Sequence, residues 1–218
     1  MPRRLNLPDS AKVATPAGDG RLFAPSAQRN AAHIAALLSD HAPASGTMLE
    51  IASGTGEHAV HFARTLPHII WQPTEIDPIR RTSITKHAEL ADLQNLRPVI
   101  DLDATAAGWA ATHTGQDMIL LVNLIHLIST PEARTLIAEV AKALAPNGKF
   151  ILYGPFLRDG ETTSVGDATF DASLRAQDPD IGYKDDWDVI DWLHGAGLEL
   201  VQVVEMPANN LALVARKP

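Results

Sequence analysis

Short apolar runs take turns along this chain with stretches whose apolar residues recur every third or fourth position. The runs at 69–74, 97–100, 118–124 and 150–153, and the one ending at Ile51, read as buried strands. Between them, Ile34, Leu37 and Leu38 share one helical face, as do Ala59, Phe62, Ala63 and Leu66. Ser26 is expected to cap the first of these helices and 43–46 to end it; the second covers 57–66. Pro78 opens a helix reaching residue 93, since proline suits a first helical turn. Thr130 and Pro131 open another through residue 144, stopped by Pro146-Asn147-Gly148. A polar section at 158–187 breaks the rhythm before a helix at 189–194. Strands at 198–206 and 211–215 then close the chain, joined by Pro207-Ala208-Asn209-Asn210, which has hairpin chemistry.

This order specifies an α/β fold, doubly wound, with a mainly parallel seven-stranded sheet and an antiparallel C-terminal hairpin strand. Residues 26–218 form one domain, and 1–25, rich in proline and glycine, form a flexible arm able to flap over a site. Ligands on such sheets sit at the carboxyl ends of the strands. That edge carries Gly54, Glu75, Asp101, Asp103, Asn123, His126 and Tyr153.

One stretch concentrates the chemistry: Leu49-Glu50-Ile51-Ala52-Ser53-Gly54-Thr55-Gly56. It runs from a strand through a glycine-paired turn to a helix N-terminus, whose free N–H groups point back at the turn. Gly54 and Gly56 let the backbone turn sharply and a ligand come close. Glu50 places an acid at the end of an apolar strand, a costly position for a charge without a task.

Composition narrows the possibilities. A chain of 218 residues, 45% apolar, can bury a full core. The formal charge of −8 disfavours a nucleic-acid surface. No cysteine is present, which removes thiolate nucleophiles and disulfides. His58 and His61 lie one turn apart without further ligands in spacing, so no metal is expected. No apolar run is long enough to span a bilayer, and none follows Arg3 and Arg4 as a secretory leader would require. A cytoplasmic protein is expected. Trp187 and Trp192 read as packing residues.

Two readings fit the glycines. Gly54, Gly56 and Ala59 satisfy the dinucleotide fingerprint, with Glu75 where a ribose acid belongs, as in a nicotinamide- or flavin-dependent oxidoreductase. The other pattern, Glu50-x-x-x-Gly54-x-Gly56 with an acid after strand two and an Asp after strand three, resembles the class I S-adenosylmethionine-dependent methyltransferases. A narrower likeness lies in Gln28-Arg29-Asn30, Trp71-Gln72-Pro73, Tyr153-Gly154-Pro155-Phe156, Phe170-Asp171-x-Ser173-Leu174-Arg175 and Met206-Pro207-Ala208-Asn209-Asn210. These resemble a group of largely uncharacterised methyltransferase-like proteins of bacteria and animals. Phe156 and Ile181 stand where that group usually has Tyr and Trp.

The resemblance implies S-adenosylmethionine as cofactor. Glu75 and Ile76 would meet the ribose, Glu50 the methionine end, and Ala52, Ser53, Gly54 and Gly56 the turn around it. Asp103, or failing it Asp101, would take the adenine amino group beside Leu102. Asn123 and His126 would overlook the methyl group, His126 as a base or as a support for the loop at 129–130. Arg29, Asn30 and Tyr153 would close the site. The acceptor implied is a small molecule first and a protein side chain second. A cofactor-binding protein without catalysis, acting through a partner, is a third class of reading.

Overall fold

The computed structural model describes residues 14–218. The sequence reading of the arm falls partly on residues 1–13, which lie outside the described residues. The rest of the arm holds a short hairpin of β1 (Thr15–Pro16) and β2 (Leu22–Phe23). Then follow α1 (Pro25–His41), β3 (Gly46–Ile51), α2 (Glu57–Thr65), β4 (Ile69–Pro73), α3 (Pro78–Ala91) and β5 (Gln116–Val122). The chain ends with α4 (Thr130–Ala143), β6 (Leu144–Pro155), α5 (Val165–Gln177), α6 (Asp186–Gly195), β7 (Glu199–Met206) and β8 (Asn210–Arg216).

The main sheet has the order β4-β3-β5-β6-β8-β7. β3 runs parallel to β4 and β5, and β5 parallel to β6, while β8 pairs antiparallel with both β6 and β7. This is the α/β fold with an antiparallel closing hairpin. The seventh position, outside β4, is held by residues 96–100 through isolated parallel bridges from Trp71 to Leu96 and from Thr74 to Ile100. Trp71 donates to the Asn95 carbonyl and accepts the Arg97 N–H, but the next residue of β4 in position to donate is Pro73, which has no N–H, so the ladder never becomes continuous.

Strand periodicity sorts the core into two layers. Leu49, Ile51, Ile119, Leu121, Phe150 and Leu152 pack with α4 and α6 on one face. Met48, Met118, Leu120 and Ile151 pack with α1 and α2 on the other, around Phe62 and Trp71. Each such side chain contributes about 1.5–3 kcal/mol of burial. The same alternation places Glu50 two residues after Met48, on the face of Trp71.

Three local readings change. α1 starts at Pro25 with Ala24 as its cap residue and no side-chain cap, so Ser26 is not the cap. Proline presets the first turn there, and the Ala24 N–H is taken by Glu57 Oε2 at 2.6 Å. The polar section 158–187 contains α5, capped by Ser164, whose hydroxyl accepts the Asp167 N–H, and anchored by the buried Leu174. Trp187 is 62% exposed rather than packed; Trp192 lies under the Arg134 guanidinium.

The described part of the arm is tied to α3. The Leu22 N–H donates to Ser83 Oγ at 2.8 Å, and its carbonyl lies 3.0 Å from His87 Nε2. Among the described residues, no helix is long and apolar enough to cross a membrane.

Candidate functional site

From β3 the chain crosses to β4 on one side, and from β5 to β6 on the other, so a crevice opens between the carboxyl ends of β3 and β5. The residues that leave these strands, Ala52 and Asn123, are both left-handed, at φ 53° and 56°. Asn123 adopts that conformation readily, Ala52 at a cost of about 1–2 kcal/mol, and it turns both chains away from the crevice. A cavity of 460 Å³ fills this place. Of the candidate cofactor and catalytic residues named from sequence, it is lined by Arg29, Glu50, Ala52, Ser53, Gly54, Asn123 and His126; His58 lies on the lining as well.

The two turn glycines do different work. Gly54 has φ 61°, and a Cβ there would meet nothing within 4 Å, so its bare face is open. At Gly56, φ 95°, a Cβ would lie 2.7 Å from Ile84 Cα. Gly56 therefore lets α3 pack against the turn. Thr74 braces the turn from the neighbouring strand, donating its hydroxyl and its N–H to the Glu50 carbonyl and accepting the Ser53 N–H.

The acids are sharply differentiated. Glu50 is 2% exposed and accepts Trp71 Nε1–H at 2.8 Å. Burial pushes its carboxyl up to about 7, opposed by the Trp71 hydrogen bond. Glu75 is buried behind the turn rather than on the cavity wall; its oxygens accept the Gly54 and Asp77 N–H groups at 2.9 and 3.0 Å. Burial raises its pKa, and those backbone bonds work against the rise. Ile76 and Leu102 are buried nearby. Asp103 Oδ1 accepts the Thr105 N–H and hydroxyl, which shapes a turn, and Asp101 pairs with Arg81 at 3.2 Å. None of these five residues lines the cavity.

Asn30 and Tyr153 also stand behind the wall. Asn30 Oδ1 lies 2.8 Å from His58 Nε2, and its side chain meets the Tyr153 hydroxyl. His58 is thereby a satisfied core histidine, held near pKa 4 by desolvation. His126 is buried in the short 3-10 turn Ile125–Leu127, and desolvation lowers its pKa to about 3, with the Lys184 charge adding to the effect. Its Nδ1 is buried with no hydrogen-bond partner among the described residues, and no bond from the ring to the backbone of 129–130 is present.

Several lining residues were not singled out beforehand: Arg80, Asp167 and Tyr183, while Phe170 appeared only within a motif. Phe170, Tyr183 and His126 face one another edge-on, with ring centroids 5.9–6.1 Å apart. Asp167 Oδ2 accepts the Thr163 and Ser164 hydroxyls and the Asn209 amide, joining α5 to the β7–β8 turn. The one sequence signal was Ser164 three residues before Asp167, a helix-capping pattern.

Over residues 21–217 the sequence matches the family described as Protein of unknown function (DUF938). The chain belongs to that family. Solved structures add the fold relationship of this DUF938 member. An O-methyltransferase family protein from Burkholderia thailandensis superposes with a TM-score of 0.75 at 18% identity, over 88% of this chain and 56% of its own. An O-methyltransferase family 2 protein from Planctomyces limnophilus, solved with apigenin, gives 0.73 at 19% identity, over 88% and 60%. Human N-acetylserotonin methyltransferase, solved with SAM, gives 0.73 at 15%, over 88% and 52%. The fold is that of the class I S-adenosylmethionine-dependent methyltransferases. The DUF938 chain spans little more than half the length of each of these proteins.

Proposed function

We propose that this DUF938 protein transfers a methyl group from S-adenosylmethionine to a small-molecule acceptor. The observation that carries this reading is Glu50. It is a buried carboxylate on the cavity wall, and among the described residues no salt bridge reaches it. A ligand bearing positive charge supplies what the protein does not. Arg29 and Arg80 on the same lining suit a carboxylate, so the wall matches an amino-acid moiety of mixed charge. Gly54 leaves its face bare where the ligand backbone would approach.

S-adenosylmethionine, when bound, supplies a methyl carbon already activated by a positive sulfur. The protein's part is then alignment and the exclusion of water. Glu50 orients the cationic end. Glu75 has acceptor capacity left beyond its backbone bonds for ribose hydroxyls, and its own N–H donates to the Ile100 carbonyl. Leu102, Asp101 and Asp103, which follow Ile100 in the chain, would be the residues to hold the base. The wall of Leu124, Leu127 and Phe170 keeps the opposite end dry. A small acceptor suits a cleft of this size, and the neighbours solved with apigenin or named for N-acetylserotonin agree with that class.

Thermal melts test the reading. S-adenosylmethionine or S-adenosylhomocysteine at 100 times its Kd adds about 2.7 kcal/mol, a rise of about 5–11 °C for a chain of this length. Stabilisation by NAD or FAD, with none from these two ligands, overturns it in favour of an oxidoreductase.

A further inference from the structure

Where α5 meets the cavity, the wall carries a carboxylate, Asp167, and two aromatic rings, Phe170 and Tyr183. Asp167 and Phe170 stand three residues apart and so share one face of the helix. Phe170 and Tyr183 meet edge to face, with centroids 6.1 Å apart, and the Tyr183 hydroxyl lies 3.3 Å from Asp167 Oδ1. Carboxylate and rings therefore border the same space.

Asp167 is half-buried, and its hydrogen-bond partners are neutral. Oδ2 accepts the Thr163 and Ser164 hydroxyls at 2.8 and 2.7 Å and the Asn209 amide at 2.9 Å. Those three bonds fix the start of α5 to the β7–β8 turn and saturate Oδ2, whereas Oδ1 has only the long Tyr183 contact and keeps capacity for another donor. Burial opposes the charge on Asp167, but the Ser164 and Thr163 hydroxyls and the Asn209 amide outweigh it and hold the pKa below the ordinary value, so the group is ionised at neutral pH. The cations around α5 are committed elsewhere. Arg175 pairs with Asp171 and Arg158 with Glu205, each at 2.8 Å, and Lys184 Nζ donates to the Ile128 and Gly182 carbonyls. Among the described residues no salt bridge reaches Asp167.

A charged oxygen with a free lone pair, no cationic partner and two π systems beside it suits an organic ammonium. The carboxylate supplies a charge-assisted hydrogen bond, and the rings supply apolar contact that also tolerates a cation. The net charge of −8 draws such a ligand toward the protein. We propose that Asp167, with Phe170 and Tyr183, holds a cationic group of the methyl acceptor, which makes the acceptor a small organic ammonium. This rests on the methyltransferase reading above. A protonated nitrogen has no lone pair to give, so the ammonium is a handle for recognition, and the methylated atom lies elsewhere in the acceptor. Asp167 is accordingly a specificity-determining residue, separate from Glu50 at the cofactor.

The test is calorimetry on protein saturated with S-adenosylhomocysteine, with 2-phenylethylammonium as probe and 2-phenylethanol, neutral and of the same shape, as control. The ammonium is expected to bind about tenfold or more tightly, the worth of one hydrogen bond between charged groups, and the preference should shrink as salt is raised. Asp167→Asn keeps an oxygen for the α5 cap and removes the charge; it should retain S-adenosylhomocysteine affinity and bind both probes equally. Phe170→Leu leaves the cap alone and should weaken the ammonium several-fold more than the alcohol, which carries the test should the Asn variant not fold. An ammonium that binds no better than the alcohol, or not at all, overturns the proposal, as does a preference that survives Asp167→Asn. Loss of S-adenosylhomocysteine affinity in folded Asp167→Asn also overturns it, because the carboxylate then belongs to the cofactor. If S-adenosylhomocysteine does not bind the wild type, the methyltransferase reading fails by itself, and the same titrations on the free protein still decide the ammonium site.

Discussion

Replacing Glu50 with Gln isolates the cost of one buried charge. Glu50 is 2% exposed, and burial lifts its carboxyl from 4.5 to about 7. At about 1.4 kcal/mol per pH unit, this shift is worth about 3 kcal/mol. The sign follows from linkage. Between pH 4.5 and 7 the folded state holds the proton that the unfolded state has released, so stability falls as pH rises through this window. Above pH 7 the full cost is present. Gln keeps an oxygen to accept Trp71 Nε1–H but has no charge to desolvate. Wild type and Glu50→Gln should therefore differ by a term that grows by about 3 kcal/mol between pH 4.5 and 8, in favour of the variant. For 218 residues this is a relative gain of about 6–12 °C in Tm. Melting or urea curves of both proteins across the range measure it, and the subtraction cancels the titrating groups that do not sense Glu50, leaving Glu75 as its coupled neighbour. Parallel pH profiles would refute the argument, because Glu50 would then be hydrated or already neutralised. The variant should also bind S-adenosylmethionine at least tenfold more weakly at pH 8, where the wild-type carboxylate is charged.

Three further outcomes separate support from contact. Gly56→Ala should destabilise by about 1–3 kcal/mol through its collision with Ile84, whereas Gly54→Ala should cost about 1 kcal/mol of backbone strain and chiefly impair ligand binding; equal stability losses would contradict the division. Glu75→Ala leaves the Gly54 and Asp77 N–H groups without their partner, so stability should fall by about 1–3 kcal/mol together with cofactor affinity; calorimetry showing unchanged affinity in the folded variant would remove Glu75 from the ribose. His58 and His126, lowered to about 4 and about 3, should show no ring titration by NMR between pH 5 and 8, and a midpoint near 6.5 for either would mean that water reaches it.

Much of the architecture could be read locally because strand and helix periods report which faces are buried. Met48 and Leu49 go to opposite core layers for that reason alone, and Pro78 opens α3 through its own backbone geometry. The left-handed Ala52 and the open Gly54 belong to a turn that short-range chemistry already marked. Fold class, sheet edge and the Glu50–Gly54 wall thus followed from the order of residues. What eluded it were relations between distant segments. Gly56 is glycine because of Ile84, twenty-eight positions later, and Glu75, expected at a ribose, also accepts a backbone N–H of the glycine turn. α5 looked like polar loop because Leu174 alone of its residues is buried, so no apolar stripe marks it, and its ties run to Tyr183 and Asn209. The ring cluster of His126, Phe170 and Tyr183 forms only where the turn after β5, α5 and the segment before α6 converge. Local propensity records how a segment meets solvent, but an unmatched acceptor or a missing Cβ acquires meaning only from the atoms that packing brings opposite it.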